Sequence, residues 1–135
     1  MESWRLVFRD GFVPVLSTGA LAALRDAVRD NDPRLITGST TLPPPLMCLQ
    51  DWVCEGGCAL GFCGVHEGGG FGVATVQTAE EFFARACHEA DQRLGEPAAC
   101  RWFLNHWDLT PREKLFADVL PELELALEGR KARAA

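Results

Sequence analysis

Apolar residues in the second half of the chain recur every three to four positions, the spacing that places side chains on one face of a helix. The segment that shows this best runs from Thr78 to Gly95. Thr78 is followed three residues later by Glu81, which makes a capping box, and Gly95 suits the left-handed position that closes many helices. The pattern therefore predicts an amphipathic helix over residues 78–95.

A second helix is predicted over residues 97–107. It begins with Pro97, a residue that suits the first position of a helix because it has no N–H to satisfy there. Helical spacing places Phe103 and Trp107 on one apolar face, whereas Trp102 falls outside that face. The sequence thus predicts that one face of this helix is buried and that one large aromatic side chain, Trp102, lies outside that face.

A third helix is predicted over residues 110–129. Its apolar stripe keeps the same phase on both sides of Pro121, which indicates a kinked helix that continues past the proline. Gly129 is expected to end it, because glycine is the usual residue just beyond a helix. The remaining stretch, residues 129–135, is expected to be a frayed basic tail.

The first third of the chain contains another helical pattern. Residues 17–33 place Leu21 and Leu24 on one face and arginines on the other, and they end in a stop signal that contains proline. Before them, Asp10-Gly11 separates two apolar runs, which is a hairpin signal. A short N-terminal strand or hairpin is therefore expected.

The middle of the chain, residues 51–63, is ambiguous between a helix and a loop. Its glycines are unfavourable in a strand, and Asp51 is a good helix N-cap, so a buried central helix is favoured. Taken together, the patterns predict a mainly α protein. We expect a single compact domain over residues 1–135, with about five helices and a short N-terminal strand or hairpin.

Composition narrows the class of protein. A net charge of −6 and a pI near 5.0 argue against a nucleic-acid surface, which needs basic residues to displace counterions. No apolar run approaches the roughly 20 residues that span a bilayer, and no signal peptide is recognisable at the start. We therefore expect a cytoplasmic protein without membrane contact. The scarcity of lysine and isoleucine is typical of GC-rich bacterial genomes.

Three cysteines and one histidine lie close together, at Cys54, Cys58, Cys63 and His66. In a loop their side chains have the right donors for a tetrahedral zinc ion, but in a helix Cys63 lies opposite the other two cysteines. The spacing also lacks the close C-x2-C pairs of common zinc sites, so buried thiols are the favoured interpretation. A zinc-thiolate module remains the alternative, and no other cofactor is expected.

A thiol-dependent enzyme is the second alternative. Cys100, His106 and Asp108 lie in one short stretch, and a catalytic thiol needs a base and an orienting group within hydrogen-bond reach. Helical spacing puts Cys100 on the apolar face and His106 at its edge, so the two side chains do not face each other. We therefore predict no catalytic residues.

The favoured function is a small acidic non-catalytic interaction protein, such as an adaptor, a regulator or a partner-neutralising subunit, that binds another protein or itself. Trp102 has Arg101 beside it and His106 one turn further on, while Leu125 also lies off its own apolar stripe. We predict these four residues as the partner-binding site, because Trp and Arg dominate the energetics of interfaces. The competing interpretation is that the N-terminal strand or the loop 40–46 covers Trp102.

Overall fold

Most of the chain is helical. The computed structural model describes residues 3–45 and 51–134. The helices are α1 Ser3–Leu6, α2 Thr18–Arg29, α3 Ala59–Glu67, α4 Val76–Leu94, α5 Arg101–Leu109 and α6 Arg112–Ala134, and the strands β1 Thr41–Leu42 and β2 Gly56–Gly57 pair antiparallel. The mainly α prediction is confirmed, with six helices where about five are predicted. No helix within the described ranges is long and apolar enough to cross a bilayer.

The N-terminal segment is helical, so the predicted N-terminal strand or hairpin is wrong. Helix α1 continues into a π-helical stretch, Val7–Phe12, and then into a 3-10 turn, Val13–Val15. Gly11 does not form a turn. A Cβ atom on it would lie 2.9 Å from Leu94 Cδ1, so this glycine lets α4 pack closely against the segment. The two short strands lie elsewhere, where Thr41 pairs with Gly57 and Leu42 with Gly56.

The central helix exists but begins at Ala59, eight residues after the predicted cap Asp51. The residues before it are extended, because Gly56 and Gly57 pair with β1. A Cβ on Gly56 would lie 2.9 Å from the carbonyl oxygen of Arg34, so the strand pairing depends on glycine at this position. The helical interpretation of residues 51–63 is therefore right only for its second half.

Helix α3 lies at the centre of the fold, with α2 and α4 packed against it. Residues 59–65 are all buried, so the helix has no solvent-facing side until its last turn. Two glycines permit this enclosure. A Cβ on Gly61 would overlap the carbonyl oxygen of Thr40, and one on Gly64 would lie 2.9 Å from Phe82 Cβ. At these two glycines the neighbouring chain segments therefore lie directly against the backbone of α3.

Helix α4 ends where the sequence predicts but begins earlier. Gly95 closes it in the left-handed conformation, with φ 69°. The N-cap is Thr75 instead of Thr78, and the Thr75 hydroxyl accepts the backbone N–H of Thr78 at 3.2 Å. The helix therefore starts at Val76, which is buried and belongs to the core.

Helix α6 continues through Pro121, as predicted, and also through Gly129, where the sequence predicts its end. The expected frayed tail is thus helical as far as residue 134, and residue 135 lies outside the described residues. Arg130 explains the extra length. Its guanidinium donates to the carbonyl oxygens of Val13 and Leu16, each at 2.7 Å, and so ties the end of α6 to the N-terminal segment.

Aromatic side chains connect the helices inside the core. Phe103 of α5 lies between Phe8 and Phe12 of the N-terminal segment, with ring centroids 5.0 and 5.4 Å apart. Trp107 extends this cluster to Phe116 of α6, at a centroid distance of 5.9 Å. Such tilted and offset contacts add to the stabilisation from buried apolar area. They fix α5 between the two ends of the chain.

Two glycine-to-alanine substitutions test the role of backbone approach. Gly61→Ala should lower the free energy of unfolding by about 1–3 kcal/mol, because the added methyl collides with a backbone oxygen that no side-chain rotation can move. Gly129→Ala should raise it by about 0.5–1 kcal/mol, because the nearest atom lies 3.8 Å away and alanine favours the helix. Guanidinium chloride unfolding measures both. Equal effects of the two substitutions would contradict the assigned packing of α3.

Candidate interaction site

Helix α5 starts four residues later than predicted, because a turn held by α4 precedes it. The carboxylate of Asp91 accepts the N–H of Ala98 at 3.0 Å and the N–H of Cys100 at 2.7 Å. Ala98 is left-handed, with φ 59°, so Pro97 belongs to the turn and not to the helix. Asp91 therefore satisfies the N–H groups that precede α5 and sets the direction in which the helix leaves α4.

One face of α5 belongs entirely to the core. Phe103 and Trp107 are buried. The indole N–H of Trp107 donates to the carbonyl oxygen of Ile36 at 2.8 Å, which satisfies the one polar atom of this side chain. These contacts anchor the inner face of α5 in the core.

Trp102 lies on the outer face, with 44% of its surface exposed. The competing interpretation places the N-terminal strand or the loop 40–46 over this side chain, and residues 1–2 and 46 of those segments lie outside the described residues. The guanidinium carbon of Arg101 lies 4.8 Å from the centre of its ring, and Arg101 also donates to the carbonyl oxygen of Ala98 at 2.7 Å. The ring is thus held by a cation–π contact and a fixed arginine.

Leu109 is an exposed residue that the sequence analysis misses. It is 81% exposed, the largest exposed fraction among the large apolar side chains described. Seven residues separate it from Trp102, close to two helical turns, so the two side chains share a face about 10 Å apart along the axis. The signal is present in the sequence, but the predicted helix ends at Trp107, which leaves Leu109 outside it.

His106 lies one turn from Trp102, as predicted, but it is not part of an open surface. Its ring stacks on Trp4 with centroids 4.2 Å apart and planes 3° apart, and its Nε2 lies 3.3 Å from the carboxylate of Asp118. Nδ1 lies 3.3 Å from the hydroxyl of Thr110. With 16% of the side chain exposed, His106 joins α1, α5 and α6 and leaves little surface for a partner.

Leu125, the fourth predicted partner-binding residue, is exposed but lies on α6. It is seven residues beyond Asp118, the residue of α6 that faces His106, which places it about 10 Å further along that helix. The structure therefore groups Trp102, Arg101 and Leu109 on α5. We call these three residues the α5 patch.

The cysteine and histidine cluster is dispersed in the fold. Cys54 belongs to a small core with Val65, Cys58 is the N-cap of α3, Cys63 is buried in the main core, and His66 is exposed. The thiol of Cys54 donates to the carbonyl oxygen of Gly56 at 3.1 Å. Across residues 3–45 and 51–134, no three His, Cys, Asp or Glu side chains gather in a way that could hold a metal ion.

Burial keeps the thiols protonated. It raises the pKa of Cys58 from 9.0 to about 11, although the N–H groups of the first turn of α3 act in the opposite direction. Burial also raises the pKa of Cys63, Cys87 and Cys100 above the ordinary value. Because the thiolate is both the nucleophile and the metal ligand, these side chains are poorly suited to either role at neutral pH.

A cavity of about 160 Å³ lies between the loop 38–40, the start of α3 and α5. Its walls are formed by Phe83, Phe103 and Trp107, and the carboxylate of Asp108 accepts the N–H of Gly38 at 3.0 Å beside its opening. Sites for small molecules are larger, about 300 Å³ and above. The cavity is therefore a packing space next to α5 that is too small for a typical substrate.

No protein-family model, curated protein or solved structure matches this chain. The α5 patch consists of Trp102, Arg101 and Leu109. It presents an indole ring and a leucine as apolar area, and a guanidinium and the neighbouring Asp108 carboxylate as hydrogen-bonding groups at its edge. Such a surface can bind and orient another molecule, and it offers no nucleophile.

The raised thiol pKa values predict a loss of stability in alkaline solution. Between pH 9 and about 11 the thiol of Cys58 is ionised in the unfolded chain but still protonated in the folded one, so stability falls as the pH rises. Each such thiol contributes a slope of up to about 1.4 kcal/mol per pH unit. Guanidinium chloride unfolding of the wild type and of Cys58→Ala across this range measures it, and the variant should lose stability less steeply. Identical slopes would contradict the raised pKa of Cys58.

Proposed function

We propose that this chain is a small acidic non-catalytic interaction protein of the bacterial cytoplasm, and that the α5 patch binds a partner protein. The observation that carries the proposal is the division of α5 into two faces. The face with Phe103 and Trp107 is fully buried, whereas Trp102 and Leu109 remain exposed on the other face. An exposed tryptophan that the core does not need is typical of a binding surface.

Two side chains of the α5 patch are partly ordered before binding, which favours affinity for a partner. Because Arg101 lies over the ring of Trp102 and is itself hydrogen-bonded to the backbone, both side chains are partly ordered before binding. Less conformational entropy is then lost when a partner covers them. Tryptophan and arginine are also the residue types most enriched among those that dominate interface energies.

The charge of the chain indicates the kind of partner. With a net charge of −6, two copies of this protein repel each other, which disfavours self-association at moderate ionic strength. The edge of the α5 patch carries the carboxylates of Glu96 and Asp108. The surface is complementary to another protein with an apolar centre and basic residues around it.

The cysteines support this proposal over the two alternatives. A thiol-dependent enzyme needs a thiolate near neutral pH, but burial raises the pKa of Cys58, Cys63 and Cys87. A zinc-thiolate module needs thiolates that converge, whereas Cys54 and Cys63 donate to the separate carbonyl oxygens of Gly56 and Ala20. In both cases the sulfur atoms act as small buried groups.

Substitutions in the α5 patch test the proposed function. Trp102→Ala and Leu109→Ser should change the free energy of unfolding by less than about 1 kcal/mol, because neither side chain belongs to the core cluster. Each should weaken partner binding by about tenfold or more, as expected for central interface residues. Cross-linking in lysate of the source bacterium with quantitative mass spectrometry compares the proteins recovered by each variant, and chemical unfolding measures stability.

Two control variants make the result specific. Val73→Ser alters an apolar residue outside α5 whose exposed fraction, 66%, lies between those of Trp102 and Leu109, and it should leave partner recovery unchanged. Phe103→Ala, on the buried face of the same helix, should lower the free energy of unfolding by about 3–5 kcal/mol. If the same proteins are recovered with wild-type chain, Trp102→Ala and Leu109→Ser, the α5 patch is not the binding site. If the wild-type chain forms concentration-dependent dimers and Trp102→Ala abolishes them, the α5 patch binds a second copy of this chain and not a different protein.

A further inference from the structure

A groove at the end of α6 is strongly basic, in contrast to the acidic chain as a whole. Its volume is about 560 Å³, and it is lined by Arg9, Val13, Pro14, Leu16, Arg93, Arg130 and Arg133. We call it the arginine groove. Among the described residues no carboxylate lines it. The four guanidinium groups therefore concentrate positive charge on one small surface of a protein with a net charge of −6.

The four arginines come from separate elements, so the groove depends on the tertiary fold. Arg9 belongs to the N-terminal helical segment and Arg93 to the last turn of α4. Arg130 and Arg133 come from the end of α6, which is the stretch that the sequence predicts to be frayed. Because α6 stays helical beyond Gly129, its last two arginines are carried to the N-terminal segment.

Two of the arginines are engaged by the protein itself and build the walls of the groove. Arg9 forms a bidentate pair with the buried carboxylate of Glu122, and its Nη2 lies 2.8 Å from Glu122 Oε2. Arg130 donates to the carbonyl oxygens of Val13 and Leu16 and to the hydroxyl of Thr18. These bonds fix the positions of both guanidinium groups. Glu122 offsets the charge of Arg9, which also interacts with the carboxylate of Asp10.

The other two arginines retain donors that can bind a ligand. Arg93 makes a single long contact, with its Nε 3.4 Å from the carbonyl oxygen of Asp10. Arg133 has no hydrogen bond or ion pair to any residue of the described chain. Hydrogen bonds to backbone carbonyl groups give Arg130, and in part Arg93, a structural role, but Arg133 makes no such bond within the described chain. The side chains of Arg93 and Arg133 are exposed to solvent, so their remaining N–H groups are available to an anion.

We propose that the arginine groove binds a phosphorylated small molecule through its phosphate group. The volume falls within the range of about 300–1,000 Å³ that is usual for small-molecule sites. A phosphate carries more charge than a carboxylate and has enough oxygen atoms to accept from two guanidinium groups at once. Val13, Pro14 and Leu16 supply an apolar wall for the rest of the ligand.

The size and the charge of the surroundings favour a small ligand over a nucleic acid. A polyanion gains affinity by neutralising many phosphates along an extended basic surface. Here the basic surface is confined to one groove, and the net charge of −6 repels a long polyanion outside it. This inference concerns a different surface from the α5 patch and does not depend on the proposed function.

Binding of inorganic pyrophosphate and of ADP to the full chain, measured by isothermal titration calorimetry at low ionic strength, tests the proposal. Both probes should bind, and Arg93→Gln and Arg133→Gln should each weaken binding by about tenfold, because charge-assisted hydrogen bonds are lost. Arg85→Gln is the matched control. It removes the same charge from α4 two turns before Arg93, at a side chain that lies beside Phe82 outside the groove, so its affinity should match the wild type.

The two probes separate the sources of affinity. Equal affinity for pyrophosphate and ADP means that the phosphate group alone is recognised, whereas tighter binding of ADP adds contact with the apolar wall, and either result supports the proposal. No binding of either probe at millimolar concentration overturns it. So does equal weakening by Arg85→Gln, which indicates a general effect of net charge. Tighter binding of a single-stranded oligonucleotide than of ADP overturns the assignment to a small molecule. Circular dichroism and chemical unfolding confirm that each variant remains folded.

Discussion

The burial of residues 59–65 of helix α3 is the constraint on which the other elements depend. A helix enclosed on all sides needs neighbours that approach its backbone, and Gly61 provides one such contact with the carbonyl of Thr40. The same region joins α3 to the rest of the chain: Gly57, two residues before the helix, accepts the N–H of Ile36, whose carbonyl oxygen in turn accepts the indole N–H of Trp107. The position of α5 is thus set through a continuous series of hydrogen bonds that begins beside α3. Because buried polar groups are costly to leave unpaired, this series is as important to the fold as the apolar contacts.

The two surfaces proposed for binding follow from how α5 and α6 are anchored. The inner face of α5 is held by the aromatic core, whereas Trp102 and Leu109 are exposed at the surface. Helix α6 is anchored at both ends by arginines. Arg112 donates to the carbonyl oxygens of Leu35 and of Asp32, and Arg130 binds the N-terminal segment in the same way. The contact of Arg130 with the N-terminal segment also brings the arginines of the groove together. The same contact therefore creates a strongly positive surface on an acidic protein.

The exposure of side chains on α5 could be predicted from the sequence where helical spacing decides it, but not where a contact between distant segments decides it. The position of Trp102 outside the apolar face follows from periodicity, and the side chain is exposed as the pattern indicates. His106 shares its side of the helix, but Trp4 stacks on its ring, and no feature of the local sequence near His106 reveals a residue about a hundred positions away. Leu109 was missed because the predicted helix ends at Trp107, whereas α5 continues to Leu109. The start of α5 is displaced as well, because Asp91 in the last turn of α4 binds the N–H groups that precede it.

The sequence by itself determined the helical class of the protein, most of its helices, the continuity of α6 through Pro121 and the end of α4 at Gly95, because periodicity and capping act over a few residues. It could not determine the role of its other glycines. Gly11 and Gly61 are required by neighbouring segments and not by their own backbone conformation, and only the tertiary structure shows those segments. The same reason applies to the cysteines and to the arginine groove. Burial raises the pKa of the thiols, and the convergence of four arginines is a property of packed elements, so both depend on contacts between residues that are far apart along the chain.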